Sequence, residues 1–241
     1  MEITPFTPFK LLHHGDRVRS MLAGLTVFPV SVEMDLSNVC NHGCPWCSFN
    51  GFRQDNWVHF PTDRALSLLE ELRGHGVQSI TFTGGGEPLV HPAAAQILRH
   101  AADLGVAFGV VTNGRRLQGD IASALAAHAT FVRVSLDAGR PQTHQLLHAT
   151  ATPEFTRILA NLRAFTAVAP AVTVGASFCV FDVNVDEIGT AAAAVKAAGG
   201  RYLEVRPVFP TEWRGGGFAQ PLTADMVDQA IALGVDGIII Q

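Results

Sequence analysis

The sequence predicts an α/β fold built on a parallel sheet, and three observations carry that prediction. Runs rich in β-branched and aromatic residues alternate with runs of helical periodicity from about residue 30 to residue 209, the pattern of successive βα units. The 241 residues are 48% hydrophobic and 16% charged, a balance that suits one large soluble domain. The cysteines, the glycine run and Ser135-Leu-Asp137 each fall at the end of a predicted strand, where parallel α/β sheets gather their ligands.

Phe9 to Ala23 carry apolar positions at helical spacing and stop at Gly24, which predicts a helix covering one end of the core within an N-terminal extension of residues 1–29. The first strand is read from Val30 to Leu36, and strand alternation puts Glu33 and Asp35 on one face. Two inward carboxylates would invite a cationic partner or a hydroxyl-rich substrate; for Asp35, bonding to backbone amides of the next loop is an equal alternative. Ser48 to Phe60, with Arg53, Asn56, Trp57 and His59, read as a loop that is either a lid or substrate contact, or ordinary surface. Thr62 is placed as the cap of a helix through Leu72 that ends at Gly74 and Gly76.

Gln78 to Thr83 form a second strand that runs into Gly84, Gly85, Gly86, Glu87 and Pro88. Glycines there expose backbone amides and carbonyls to a ligand, although a tight turn alone would also explain them. The rhythm then repeats. Helix Pro92–Leu104 precedes strand Val106–Val111 with Thr112-Asn113-Gly114; helix Gly119–Ala127 precedes strand Phe131–Asp137. Helices near Thr143–His148 and over Pro153–Val168 lead to strand Val172–Phe181, and helix Val185–Ala198 leads to strand Tyr202–Phe209. Glu204 and Arg206 share one strand face. With Glu33 and Asp35 they would line a substrate region across an open side, or form a structural ion-pair network. Cys179 is the one cysteine outside the first cluster, either a small buried hydrophobe or a hydrogen-atom donor. The run Gly237 to Gln241 is apolar and strand-like, which points to a truncated end or a missing final segment.

The stretch Cys40-Asn-His-Gly-Cys44-Pro-Trp-Cys47 carries the chemistry. Thiolates are the usual ligands of iron–sulfur clusters, four are needed to fill a cubane, and three with no fourth nearby leave one iron open to a substrate or cofactor. A zinc knuckle or a disulfide pair is the alternative. His42 could complete a zinc site only with difficult geometry, and disulfides need an oxidising compartment, for which the N-terminus shows no secretory signal.

Cys-x3-Cys-x2-Cys with Trp46 before the last cysteine resembles the signature of the radical S-adenosylmethionine (SAM) superfamily. That resemblance implies a partial (βα)6 TIM-like barrel over residues 30–241, and a [4Fe-4S] cluster on Cys40, Cys44 and Cys47 whose open iron is chelated by SAM. It further implies cleavage of SAM to a 5'-deoxyadenosyl radical and an electron donor such as flavodoxin or ferredoxin. Carried over residue by residue, it gives Gly85, Gly86 and Glu87 to the SAM amino group, and Ser135 and Asp137 to the ribose or carboxylate. Asn113 closes the site, unless it is only a turn residue before Gly114. Where many relatives have His-x3-Arg, this chain has His144 and His148, so the carboxylate partner is His148 or comes from elsewhere, Arg206 being a candidate. The runs Val32–Cys47 and Ser135–Gly139 resemble most the sugar- and nucleoside-modifying members, such as cytosylglucuronate decarboxylase. This implies small-molecule tailoring in natural-product biosynthesis: decarboxylation, epimerisation or dehydration. A peptide- or protein-modifying enzyme, a glycyl-radical activase, and a non-catalytic zinc- or cluster-binding module are the other readings.

The net charge of -4 argues against a nucleic-acid footprint, and no apolar run approaches the roughly 20 residues that span a bilayer. A cytoplasmic protein is expected.

Overall fold

The computed structural model describes residues 13–50, 57–151, 153–207 and 239–240. Strands β1 (Ser31–Asp35), β2 (Ser79–Thr83), β3 (Ala107–Thr112), β4 (Phe131–Ser135), β5 (Thr173–Val180), β6 (Tyr202–Pro207) and β7 (Ile239–Ile240) lie side by side in sequence order. Every pair is parallel, and β1 and β7 are the outer strands, so the sheet does not close. The six-stranded partial barrel is therefore present with a short seventh strand added. The apolar run near the C-terminus pairs with β6, which consequently does not border the opening.

Alternation along the strands gives the sheet two opposite faces. Met34, Ile80, Phe82, Phe108, Val110, Val132, Val134, Val174, Ala176, Phe178 and Leu203 are all buried in one hydrophobic core. They face helices α2 (Thr62–Gly74), α3 (Ala94–Asp103), α4 (Gly119–His128), α6 (Glu154–Val168) and α7 (Ile188–Ala197), which supply Leu69, Ile97, Leu98, Leu125, Ile158, Leu162, Phe165, Ile188 and Val195. Each fully buried aliphatic or aromatic side chain of this kind contributes about 1.5–3 kcal/mol. The intervening positions, among them Glu33, Thr81, Arg133, Ser135, Ser177, Glu204 and Arg206, form the other face, which is unusually polar. A short helix, α5 (Pro141–His148), follows β4 and ends at the left-handed Ala149.

Two local expectations need correction. Thr62 is the first helical residue of α2, not its cap; Pro61 holds the cap position, no side chain caps the helix, and the Pro61 carbonyl accepts from Ala65. The N-terminal helix α1 (Gly15–Leu22) buries none of its residues. It attaches through Arg17, which donates to the carbonyls of Phe28 and Gly76, rather than through an apolar face. No described helix is long and apolar enough to cross a membrane.

Candidate active site

Four strand ends build one cleft. The loop after β1 carries Cys40, Cys44 and Cys47, the loop after β2 carries Gly84 to Glu87, β3 ends at Thr112-Asn113, and β4 ends at Ser135 and Asp137. All of these line a single cavity holding about 600 Å³ of empty space, its mouth included, together with His42, Trp46 and His148.

Asp35 fastens the first two loops. Its carboxylate accepts the Ser37 amide at 3.2 Å and the Gly85 amide at 2.6 Å, so the backbone-bonding alternative describes it. Gly84 is required here on two counts: its φ is +127°, and a Cβ would lie 2.1 Å from Asp35 Cγ. At Gly86 a Cβ would lie 2.2 Å from the Ser37 carbonyl oxygen, so the glycine run packs directly on the cysteine loop. Ser37 accepts from the Val39 amide and meets His59 Nδ1 at 2.9 Å, which pins the end of the 48–60 loop. Arg53 and Asn56 of that loop lie outside the described residues, and Trp57 is exposed.

Glu87 is buried, and its carboxylate accepts from Thr112 Oγ1 at 2.7 Å, the Asn113 amide at 2.7 Å and the Leu89 amide at 3.0 Å. Burial pushes its pKa up, against the pull of those three donors. The side chain thus ties the glycine run to the end of β3. Asn113 acts both as cleft lining and as turn residue. Its Nδ2 donates to Asn41 in the cysteine loop at 2.6 Å, while its Oδ1 accepts the Arg115 amide.

Trp46 donates from Nε1 to the Leu147 carbonyl at 2.8 Å, which locks the cysteine loop onto α5. His148 lies against the same loop, with Nδ1 3.3 Å from Cys44 Sγ and 3.3 Å from His42 Nδ1. Its Nε2 is 3.3 Å from Asp137 Oδ2, an ion-pair contact without hydrogen-bond alignment. Burial alone would lower the His148 pKa, but the charges of Cys44 and Asp137 outweigh it and hold it at about 10. The neighbours go the other way: burial, then the His148 charge, lowers His42 to about 3 and His144 to about 2. The sequence alone did not reveal this cluster of three histidines, in which the His144 and His148 rings stack 4.3 Å apart and His42 meets both edge-on.

Asp137 adopts a left-handed φ of +53°, and its Oδ1 accepts the Cys179 amide at 2.7 Å. Cys179 is not among the cleft-lining residues; burial and then Asp137 push its thiol pKa up, so it stays protonated. Glu204 does not reach across to β1. It bonds Arg133 at 2.5 Å and Arg206 at 2.6 Å, within the β4 to β6 wall, and neither it nor Arg206 lines the cleft. The expected cross-opening cluster of Glu33, Asp35, Glu204 and Arg206 is therefore met only in part: Asp35 serves the glycine loop and Glu204 pairs with Arg133 and Arg206, while Glu33, which makes no ion pair with a described residue, lines a second cavity together with Arg206.

Residues 34–194 match the sequence profile of the radical SAM superfamily. The chain belongs to the radical SAM superfamily. It is 27% identical over 135 residues to the S-adenosylmethionine-dependent nucleotide dehydratase of Flammeovirga pacifica, covering 54% of this chain and 46% of that protein. It is 30% identical over 108 residues to the PqqA peptide cyclase of Rhodopseudomonas palustris, covering 44% and 28%. The chain thus spans less than half the length of these relatives. The crystal structure of Streptococcus suis SuiB bound to S-adenosylmethionine superposes with a TM-score of 0.72 at 16% identity, covering 96% of this chain and 53% of that one, a likeness of fold.

Radical SAM membership makes the chain an enzyme and implies SAM and an iron–sulfur cluster. The residues present fit both. None of the four described cysteines is in a disulfide, and the three of the loop line the cleft. These three do not form a compact single-ion shell; among the described residues the group whose donor atoms lie within 4.8 Å of one another is His42, Cys44 and His148. A wider spread suits a cluster in which each iron takes one thiolate. Asp137 Oδ2 and His148 Nε2, both buried at the cleft, answer one another at 3.3 Å.

Proposed function

We propose that this radical SAM enzyme holds a [4Fe-4S] cluster on Cys40, Cys44 and Cys47 and acts on a small molecule of sugar or nucleoside type. When bound, the reduced cluster supplies one-electron cleavage of SAM to a 5'-deoxyadenosyl radical that takes a hydrogen atom from the substrate. The observation that carries the reading is the meeting of three thiols, the glycine run, Asn113 and Ser135 in one cleft at the strand ends.

The chain's own residues divide the work of holding SAM. Gly85 and Gly86 present backbone groups at close range, and Ser135 lines the cleft with its hydroxyl bonded to no described residue. Glu87, which accepts from three protein donors, and Asp137, which accepts the Cys179 amide and meets His148, shape the cleft wall. His148 takes the place of the arginine of relatives and lies beside Cys44. An oxygen-sensitive cluster suits the cytoplasm, with flavodoxin or ferredoxin as electron source. The nucleotide dehydratase relative supports the small-molecule reading; the peptide cyclase relative supports a second one, modification of a peptide.

The test is anaerobic. The protein is reconstituted with iron and sulfide, reduced with dithionite and given SAM, and 5'-deoxyadenosine is followed by chromatography beside Cys44→Ala. Formation in the wild type alone supports the proposal. A loaded four-iron cluster that leaves SAM intact, with candidate nucleotides present, sinks it. Stimulation by peptides and not by nucleotides selects the second reading.

A further inference from the structure

Below the cleft, the same inward sheet face encloses a second and larger cavity, with about 1270 Å³ of empty space including its mouth. We propose that this lumen is the substrate pocket and that it recognises an anionic group, a phosphate or a carboxylate, through Arg133 and Arg206. The inference rests on the radical SAM reading above and adds the substrate's charge to it.

Position is the first argument. Three adjacent strands contribute to both cavities, with residues two positions apart on either side: Thr81 and Thr83, Gly109 and Val111, Arg133 and Ser135. Two residues of strand are roughly 6.5 Å. The lumen therefore adjoins the floor of the cleft along these three strands.

Charge is the second. Arg133 stands in the middle of β4 with its side chain only 17% exposed, a costly place for a guanidinium. Glu204 is its partner, but the same carboxylate also serves Arg206, so one negative charge answers two positive ones. Among the described residues, Arg133 Nε is buried with no hydrogen-bond partner. Each guanidinium carries five N–H donors in a planar fork, and a carboxylate shared between two of them leaves most of those donors unspent. The complement is an anion with several oxygens. Glu33, from β1, lines the same cavity as an acceptor for a hydroxyl or amine elsewhere on the substrate.

Shape is the third. The rings of Phe131 and Tyr202 occupy the space that a Cβ on Gly109 or Gly175, their direct sheet partners, would take. The cavity wall therefore presents aromatic surface beside the cations, which suits a ring-bearing anion.

The experiment titrates the reconstituted protein, at low ionic strength, with inorganic phosphate, acetate and glucose by calorimetry. Wild type and the surface control Arg99→Gln are expected to bind one anion and to ignore glucose. Arg133→Gln is expected to weaken the anion by about tenfold or more. Glu204→Gln removes the competing carboxylate and is expected to tighten it, a gain that misfolding cannot imitate. Tighter phosphate than acetate assigns a phosphate ester, and the reverse a carboxylate. No anion binding by wild type, or equal affinity in Arg133→Gln and no gain in Glu204→Gln, overturns the proposal and leaves the Arg–Glu–Arg group as framework. Because binding is read without turnover, a protein that binds phosphate but never cleaves SAM sinks the catalytic reading alone.

Discussion

Asp35 Oδ2 accepts the backbone amide of Gly85 at 2.6 Å, so the strand that leads into the cysteine loop also holds the glycine run in place. The carboxylate occupies the space beside Gly84, where any side chain would collide with it. Gly84→Ala is expected to lose about 2–4 kcal/mol of stability, from a backbone conformation alanine resists and from the displaced carboxylate. Urea unfolding measures this. A loss under 0.5 kcal/mol would show that the two loops are not coupled as described.

Glu87 gives a second test of the same wall. Three donors converge on its two oxygens, and a glutamine would set an NH2 against at least one backbone N–H. Glu87→Gln should therefore cost about 1–3 kcal/mol, the usual penalty for an unmet buried donor. It should also loosen the end of β3, seen as faster amide exchange at Asn113. Unchanged exchange there would assign the β3 end to other contacts.

The element order, the alternation of strand faces and the cleft-lining motifs were legible because each is local. Alternation along a strand and a glycine run after it need no knowledge of the rest of the chain. The interior charges were harder. Arg133 sat unnoticed inside a β-branched run although its i, i+2 relation to Ser135 announces the same face, and its pairing with Glu204 spans 71 residues of sequence. The histidine cluster was invisible for the same reason, since His42 and His148 meet across 106 residues. The proposed cap at Thr62 failed on a smaller scale, because Pro61 already provides the turn into α2.

The histidine cluster has a measurable acid sensitivity. His144 is fully buried, its Nε2 has no partner, and burial with the His148 charge lowers its pKa from 6.5 to about 2. The unfolded chain thus takes up a proton below pH 6.5 that the folded chain refuses. Stability contributed by neutral His144 is complete above pH 6.5 and falls as pH drops, by about 1.4 kcal/mol per pH unit, or about 2 kcal/mol at pH 5. His144→Phe keeps the packing against Phe155 and should flatten this part of the profile. Equal slopes in the two proteins between pH 6.5 and 5 would place the sensitivity elsewhere.

The four cysteines are expected to separate cleanly by iron content. Cys40 and Cys47 face the cleft with Cys44, whereas Cys179 sits on β5, three strands beyond the glycine run, its amide held by Asp137 and its thiol kept protonated by burial. A protonated thiol is a poor cluster ligand, because iron binds the thiolate. Cys40→Ala and Cys47→Ala should lose most of the iron and the absorbance of the reconstituted protein, and Cys179→Ala should keep both. Iron loss in Cys179→Ala with an unchanged melting temperature would make that cysteine a fourth ligand, close the open iron site, and remove the ground for placing SAM there.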